Sequence, residues 1–96
     1  MRIVSHPEAT QELEAAAVWY EERQPGLGGD FLNEFERTLR RIEANPKRCH
    51  KIMGNNRRVN FDRFPYAIVY SSGTDTLYIK AVMHERRRPF YWKDRL

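Results

Sequence analysis

The sequence predicts an α+β fold in the order β-α-α-β-β-β with a short C-terminal tail. Three observations carry that expectation. Apolar residues recur at helical spacing in two stretches that precede Asn45-Pro46. Beyond that point the pattern changes to short runs that alternate or are apolar throughout. Turn chemistry separates the stretches at Pro25-Gly26-Leu27-Gly28-Gly29, Phe64-Pro65 and Ser71-Ser72-Gly73-Thr74-Asp75. The helices are expected to form a hairpin packed on one face of an antiparallel sheet.

Ile3-Val4 is a short strand candidate. Ser5-His6-Pro7-Glu8 then reads as a helix start, because Ser5 and Glu8 have capping-box spacing and proline is tolerated in a first turn. Ala9, Leu13, Ala16, Ala17 and Tyr20 make one apolar stripe, with Glu12, Glu14, Glu21 and Glu22 largely off it. A second helix is expected from about Gly29 or Asp30 to Ala44, with the stripe Phe31, Leu32, Phe35, Leu39 and Ile42. Cys49 to Met53 reads equally as a short strand or an irregular run. Arg57 to Asp62 alternates, with Val59 and Phe61 on one face and Arg58 and Asn60 on the other. Tyr66-Ala67-Ile68-Val69-Tyr70 is apolar on both faces, as a central strand should be. In the last strand, Thr76 to Met83, simple alternation puts Leu77, Ile79 and Ala81 toward the core and Tyr78, Lys80 and Val82 opposite. The face away from the helices would then carry Arg58, Asn60, Ala67, Lys80 and His84, a shallow cationic groove with the tail at its rim.

At 96 residues the chain is expected to be one domain, 1–96. No apolar run approaches the roughly 20 residues that cross a bilayer, so no membrane role is expected. One cysteine, Cys49, cannot form an internal disulfide, and the N-terminus lacks an apolar signal region. The expected location is the cytoplasm. The net charge of +4 is unevenly spread: residues 1–36 carry net −6 and residues 37–96 net +10. The basic part would attract a polyanion such as nucleic acid or an acidic protein segment.

The end of the chain holds the densest chemistry. His84 precedes Arg86-Arg87-Arg88, and Phe90-Tyr91-Trp92 follow. Arginine forks match phosphate oxygens, and aromatic rings stack on bases. No P-loop, dinucleotide fingerprint, paired-cysteine zinc pattern or nucleophile elbow occurs, so no metal or cofactor is expected. A metal-free attack of an RNA 2′-hydroxyl on phosphate would need a base, an acid and cations. His84 suits the proton transfers, Arg58 and Arg86 the phosphate, and Tyr91 or Trp92 base stacking.

Arg57-Arg58-Val59, then Phe64-Pro65-Tyr66-Ala67-Ile68-Val69-Tyr70, then Tyr78 to Trp92 resemble the RelE/ParE superfamily, the toxins of type II toxin–antitoxin modules. The resemblance covers essentially the whole chain. It implies a toxin that inhibits growth and is neutralised by a cognate antitoxin, whose acidic C-terminal segment wraps it. The antitoxin's other end would bind operator DNA, so the toxin would meet that DNA only through its partner. RelE-like members cut mRNA on the ribosome without metal, whereas ParE-like members poison DNA gyrase. Set against the RNA-cutting pattern, Arg58 and Arg86 match basic positions. Asn60 and Ala67 stand where the pattern has basic residues, and Trp92 stands near its terminal tyrosine or histidine, with Tyr91 beside it. The implied site is catalytic His84, Arg86 and Tyr91, with Arg58, Arg86, Arg87 and Trp92 contacting RNA and no metal. Alternative readings are a degenerate protein that only binds its antitoxin and aids autoregulation, or a small nucleic-acid-binding module.

Overall fold

His6, rather than Ser5, starts the first helix. The computed structural model describes residues 1–95, and Leu96 lies outside the described residues. Strand β1 spans Arg2–Ser5, so Ser5 is engaged in the sheet opposite Ile79. Helix α1 runs Pro7–Arg23, and the extended His6 accepts the Glu8 N–H on Nδ1 at 3.1 Å. An imidazole nitrogen thus does the work of an N-cap side-chain oxygen.

Helix α2 spans Leu27–Ala44 and begins two or three residues before the Gly29 or Asp30 start expected from sequence. Gly26 sits at φ 89°, in the left-handed region that glycine tolerates, and offers no capping side chain. Glu21 of α1 supplies the missing cap. Its carboxylate accepts the N–H of Gly26 at 2.9 Å and of Gly28 at 3.0 Å. The helices approach closely at Gly28, where a Cβ would lie 2.5 Å from the Ala17 carbonyl oxygen. Gly28→Ala is therefore expected to cost about 1–3 kcal/mol through overpacking. A lowered urea midpoint would show the loss, and an unchanged midpoint would contradict the close approach.

Four further strands follow: β2 Lys51–Met53, β3 Asn56–Asn60, β4 Tyr66–Ser72 and β5 Thr76–His84. The sheet order is β1-β5-β4-β3-β2. Pairing is antiparallel throughout β2 to β5, but β1 runs parallel to β5. The ambiguous stretch before Met53 is therefore the edge strand β2. The main core lies between the helices and one sheet face. It holds Ala9, Ala16, Phe31, Phe35, Leu39 and Ile42 from the helices, with Phe61, Phe64, Ile68, Tyr70, Leu77, Ile79 and Val82. Leu32 falls outside it, 40 % exposed, while Glu34 and Thr38 of the same helix are buried.

Simple alternation fails in β5. Val69 pairs with Ala81, and Tyr70 pairs with Ile79, so Lys80 is an extra residue opposite the β4 ladder. This β-bulge reverses the facing of every residue beyond it. Val82 joins the core under the helices, and Ala81 and Met83 move to the opposite face. That is the reverse of the alternation expected for Ala81 and Val82. The same reversal carries His84 to the helix side, where its ring meets Tyr66 edge-on at 5.1 Å.

Candidate functional site

Strand β1 ends at Ser5, opposite Ile79, while β5 continues to His84. The outer edge of β5 is therefore uncovered from Lys80 onward, and its polar backbone needs partners. Glu12 of α1 and Arg95 of the tail provide them. Glu12 Oε1 accepts the Val82 N–H at 3.0 Å, and Arg95 Nη1 donates to the Lys80 carbonyl at 3.1 Å. The two side chains also pair with each other at 2.9 and 3.0 Å. Tyr91 donates its hydroxyl to Glu12 Oε2 at 2.6 Å. Arg87 lies with its guanidinium 3.9 Å from the Tyr91 ring centre. Burial, reinforced by the Glu12 hydrogen bond and charge, pushes the Tyr91 phenol well above its ordinary range. In this arrangement the Tyr91 hydroxyl is engaged by the Glu12 carboxylate.

The sequence spacing that places Glu12 here is visible in retrospect. Glu12 is three residues after Ala9 and four before Ala16, which puts it on the buried face of α1 rather than off it. Nothing local shows what it would meet, since its partners are about seventy to eighty residues away.

The tail then crosses the sheet edge onto the face opposite the helices. Trp92 is 2 % exposed and packs with Ala67, Val69, Ala81 and Met83 as a second, smaller core. The expected open cationic groove over Ala67 is thus filled by an indole. Ala67 is small because Trp92 sits on it, and Trp92 offers no ring face to an RNA base here. Beside it, Arg58 bonds the Asn60 amide oxygen at 3.0 Å. A notch of about 320 Å³ holds Arg58 and Asn60 together with Asp62, Arg63 and Glu85. A smaller one of about 190 Å³ holds Arg58, Glu85, Arg87, Phe90 and Trp92. Glu85 shares both notches with Arg58, so an anion approaching Arg58 meets a carboxylate as well.

On the helix side the tail forms one wall of a groove of about 480 Å³. Glu12, with its carboxylate already paired to Arg95 and Tyr91, lines the groove with Ala15, Ala16 and Trp19 of α1, and Tyr66, Val82, His84, Arg87 and Tyr91 complete it. Half-exposed Trp19 carries the Arg23 guanidinium over its ring at 3.4 Å. Such a groove, apolar and aromatic with cations at its rim, suits an amphipathic acidic segment that folds on binding.

The predicted residues therefore divide between two faces. His84 and Tyr91 stand at the groove beside α1, and Arg87 reaches it from the tail. Arg58 is on the opposite face with Asn60 and Trp92. Arg86 is exposed in the turn after β5, where its backbone N–H bonds His84 Nδ1 at 3.0 Å. Glu12, Glu85 and Trp19 were not among the residues the sequence singled out. Each gains its place only when distant elements pack together.

Comparison with known proteins agrees with this architecture. One solved structure, titled as the chromosomal ParDE toxin–antitoxin system from P. aeruginosa, superposes with a TM-score of 0.75. It is 14 % identical, and the match covers 88 % of this chain and 95 % of that one. At that identity the likeness speaks for the fold. No curated protein matches the chain. The family model for the ParE toxin of the type II toxin–antitoxin system parDE matches residues 3–89, nearly the whole length. This chain accordingly belongs to the ParE toxin family of type II toxin–antitoxin systems.

Proposed function

We propose that this toxin arrests growth by binding its target through surface contacts, with no RNA cleavage, and that the target is DNA gyrase. The observation that carries this reading is the division of the RNA-cutting residues between two sheet faces. His84 lines the groove beside α1 while Arg58 lines notches on the opposite face, so the residues that would hold and cleave a phosphodiester are not gathered in one pocket, as general acid–base catalysis would need. The remaining positions support the same reading. Ala67 lies sealed beneath Trp92, and Tyr91 is held by Glu12 with its phenol pushed upward. Family membership supports gyrase, the target that ParE-like toxins are expected to poison.

The partner is an antitoxin, and its acidic C-terminal segment is the natural occupant of the cation-rimmed groove beside α1. Growth inhibition and plasmid stabilisation follow from the same reading.

Induced expression tests it with two readouts. Gyrase supercoiling should fall and gyrase–DNA complexes should accumulate, while primer extension shows intact mRNA on ribosomes. Codon-linked mRNA cuts with normal supercoiling would overturn the proposal in favour of an interferase. The double variant Arg58→Ala/Arg86→Ala should retain arrest, because no phosphate is being held for cleavage. Loss of arrest in that variant, with the fold intact by circular dichroism, would restore the RNA reading.

A further inference from the structure

We propose that residues 86–95 form a strap with closed and open states, and that Glu12 is the positioning residue that keeps it closed over the β5 edge. The functional half of this proposal rests on the growth-arrest reading above.

The strap is built unlike the rest of the molecule. Its own backbone bonds are local turns: Arg87 to His84, Tyr91 to Arg88, Lys93 to Phe90 and Arg95 to Trp92. None of them joins a ladder of the sheet, and the Lys80 ammonium donating to the Arg95 carbonyl at 3.2 Å is the backbone's hydrogen bond to the body beyond Arg87 among the described residues. Phe90 sits at φ 58°, a left-handed conformation that a bulky side chain adopts only when its surroundings force it. Two side-chain anchors supply that force. Trp92 is inserted on one sheet face, and the Glu12 carboxylate holds Tyr91 and Arg95 on the other side of the edge.

The Glu12 anchor has an asymmetry that makes it decisive. Arg95 has a side chain only 10 % exposed, and Glu12, at 14 %, is its principal counter-charge, with Glu8 farther off at 3.5 Å. Removing the Glu12 charge leaves a nearly buried guanidinium with only the exposed Glu8 as counter-charge, and such a poorly compensated charge is driven toward water. Because Arg95 ends the strap, its departure pulls on Tyr91 and Trp92. An open strap removes Tyr91 and Arg87 from the groove beside α1 and uncovers the apolar surface of Ala67, Val69, Ala81 and Met83. Glu12 would therefore control both surfaces from one point.

Trp92 reports the state of the strap. In a Trp19→Phe background it is the only tryptophan, and its emission should be blue and poorly quenched by iodide. Adding Glu12→Gln should red-shift the emission and raise quenching at least threefold, while far-UV circular dichroism stays native. Adding Arg95→Met to Glu12→Gln should restore most of the shielding, because the orphaned charge is gone. A merely destabilising effect would not be rescued by a second deletion. If Glu12→Gln does not fold, Arg95→Glu opposes Glu12 and Glu8 from the tail and leaves α1 intact. In the native-tryptophan background, colony counts after induction should show arrest falling at least tenfold in Glu12→Gln and returning in the double variant. Trp92 still shielded in both Glu12→Gln and Arg95→Glu overturns the strap. An exposed Trp92 with undiminished arrest overturns its functional role. Absence of arrest in the wild type overturns the growth-arrest reading and, with it, the functional half, while Trp92 shielding decides the strap itself.

Discussion

Trp92→Ala is expected to cost about 3–5 kcal/mol of folding stability, the usual range for emptying a buried aromatic site. The indole packs on four small or flexible residues, Ala67, Val69, Ala81 and Met83. Met83 is the one flexible side chain among them, and it is too small to fill the space of an indole. Domains of this size are stable by only about 5–15 kcal/mol, so the variant should lose a large share of its stability while remaining folded in buffer. Urea unfolding followed by far-UV circular dichroism measures the loss. Trp92→Phe should cost markedly less, because most of the apolar contact remains. Equal losses for the two variants would show that the indole N–H, and not the packing, holds the site. A midpoint unchanged in Trp92→Ala would contradict its place in the second core.

Glu34→Ala is expected to cost about 2–4 kcal/mol, from two partly buried backbone donors left without an acceptor. Glu34 is buried on α2, and Oε2 accepts the N–H groups of both Asp62 and Arg63 in the β3–β4 connection. The charge strengthens both bonds. Oε1 has no hydrogen-bond partner, although the Arg37 guanidinium lies 3.8 Å away. Glu34→Gln should therefore lose only about 1 kcal/mol, because its remaining carbonyl can serve both donors. The difference between the variants separates the acceptor's role from that of the charge. Because the connection leads into Phe64-Pro65-Tyr66, Glu34→Ala should also raise hydrogen exchange at Asp62 and Arg63 before the rest of the sheet opens. Uniform exchange across the sheet would place the effect elsewhere.

Much of the fold was readable because its signals are local. The stripe of α1 from Ala9 to Tyr20 and that of α2 through Phe31, Phe35, Leu39 and Ile42 enter the core as spaced. The fully apolar run Tyr66 to Tyr70 is a central strand, as expected. Leu32 failed the same reasoning because Glu34 and Thr38 take the buried positions beside the stripe. Glu34 is there to accept bonds from a loop 28 residues away, which periodicity does not encode. The helix-start error has a similar cause. Ser5 has the right spacing for a cap, but its backbone is claimed by the parallel pairing with β5.

The candidate site was less legible, and one bulge explains most of the gap. Alternation assigns His84 to the face with Arg58, and the extra residue Lys80 moves it to the other. Sequence determined that the chain has a helical hairpin, a β-rich half with three clear strands and a basic, aromatic end, because propensity and spacing act over a few residues. Only the tertiary structure decided which face each functional side chain occupies. A bulge reverses facing by one register step, and the Glu12–Arg95 pair and the Trp92 insertion join residues that chain connectivity keeps far apart. Those long-range contacts turn a tail that reads as a phosphate-and-stacking segment into a packed strap that closes one face and walls the groove on the other.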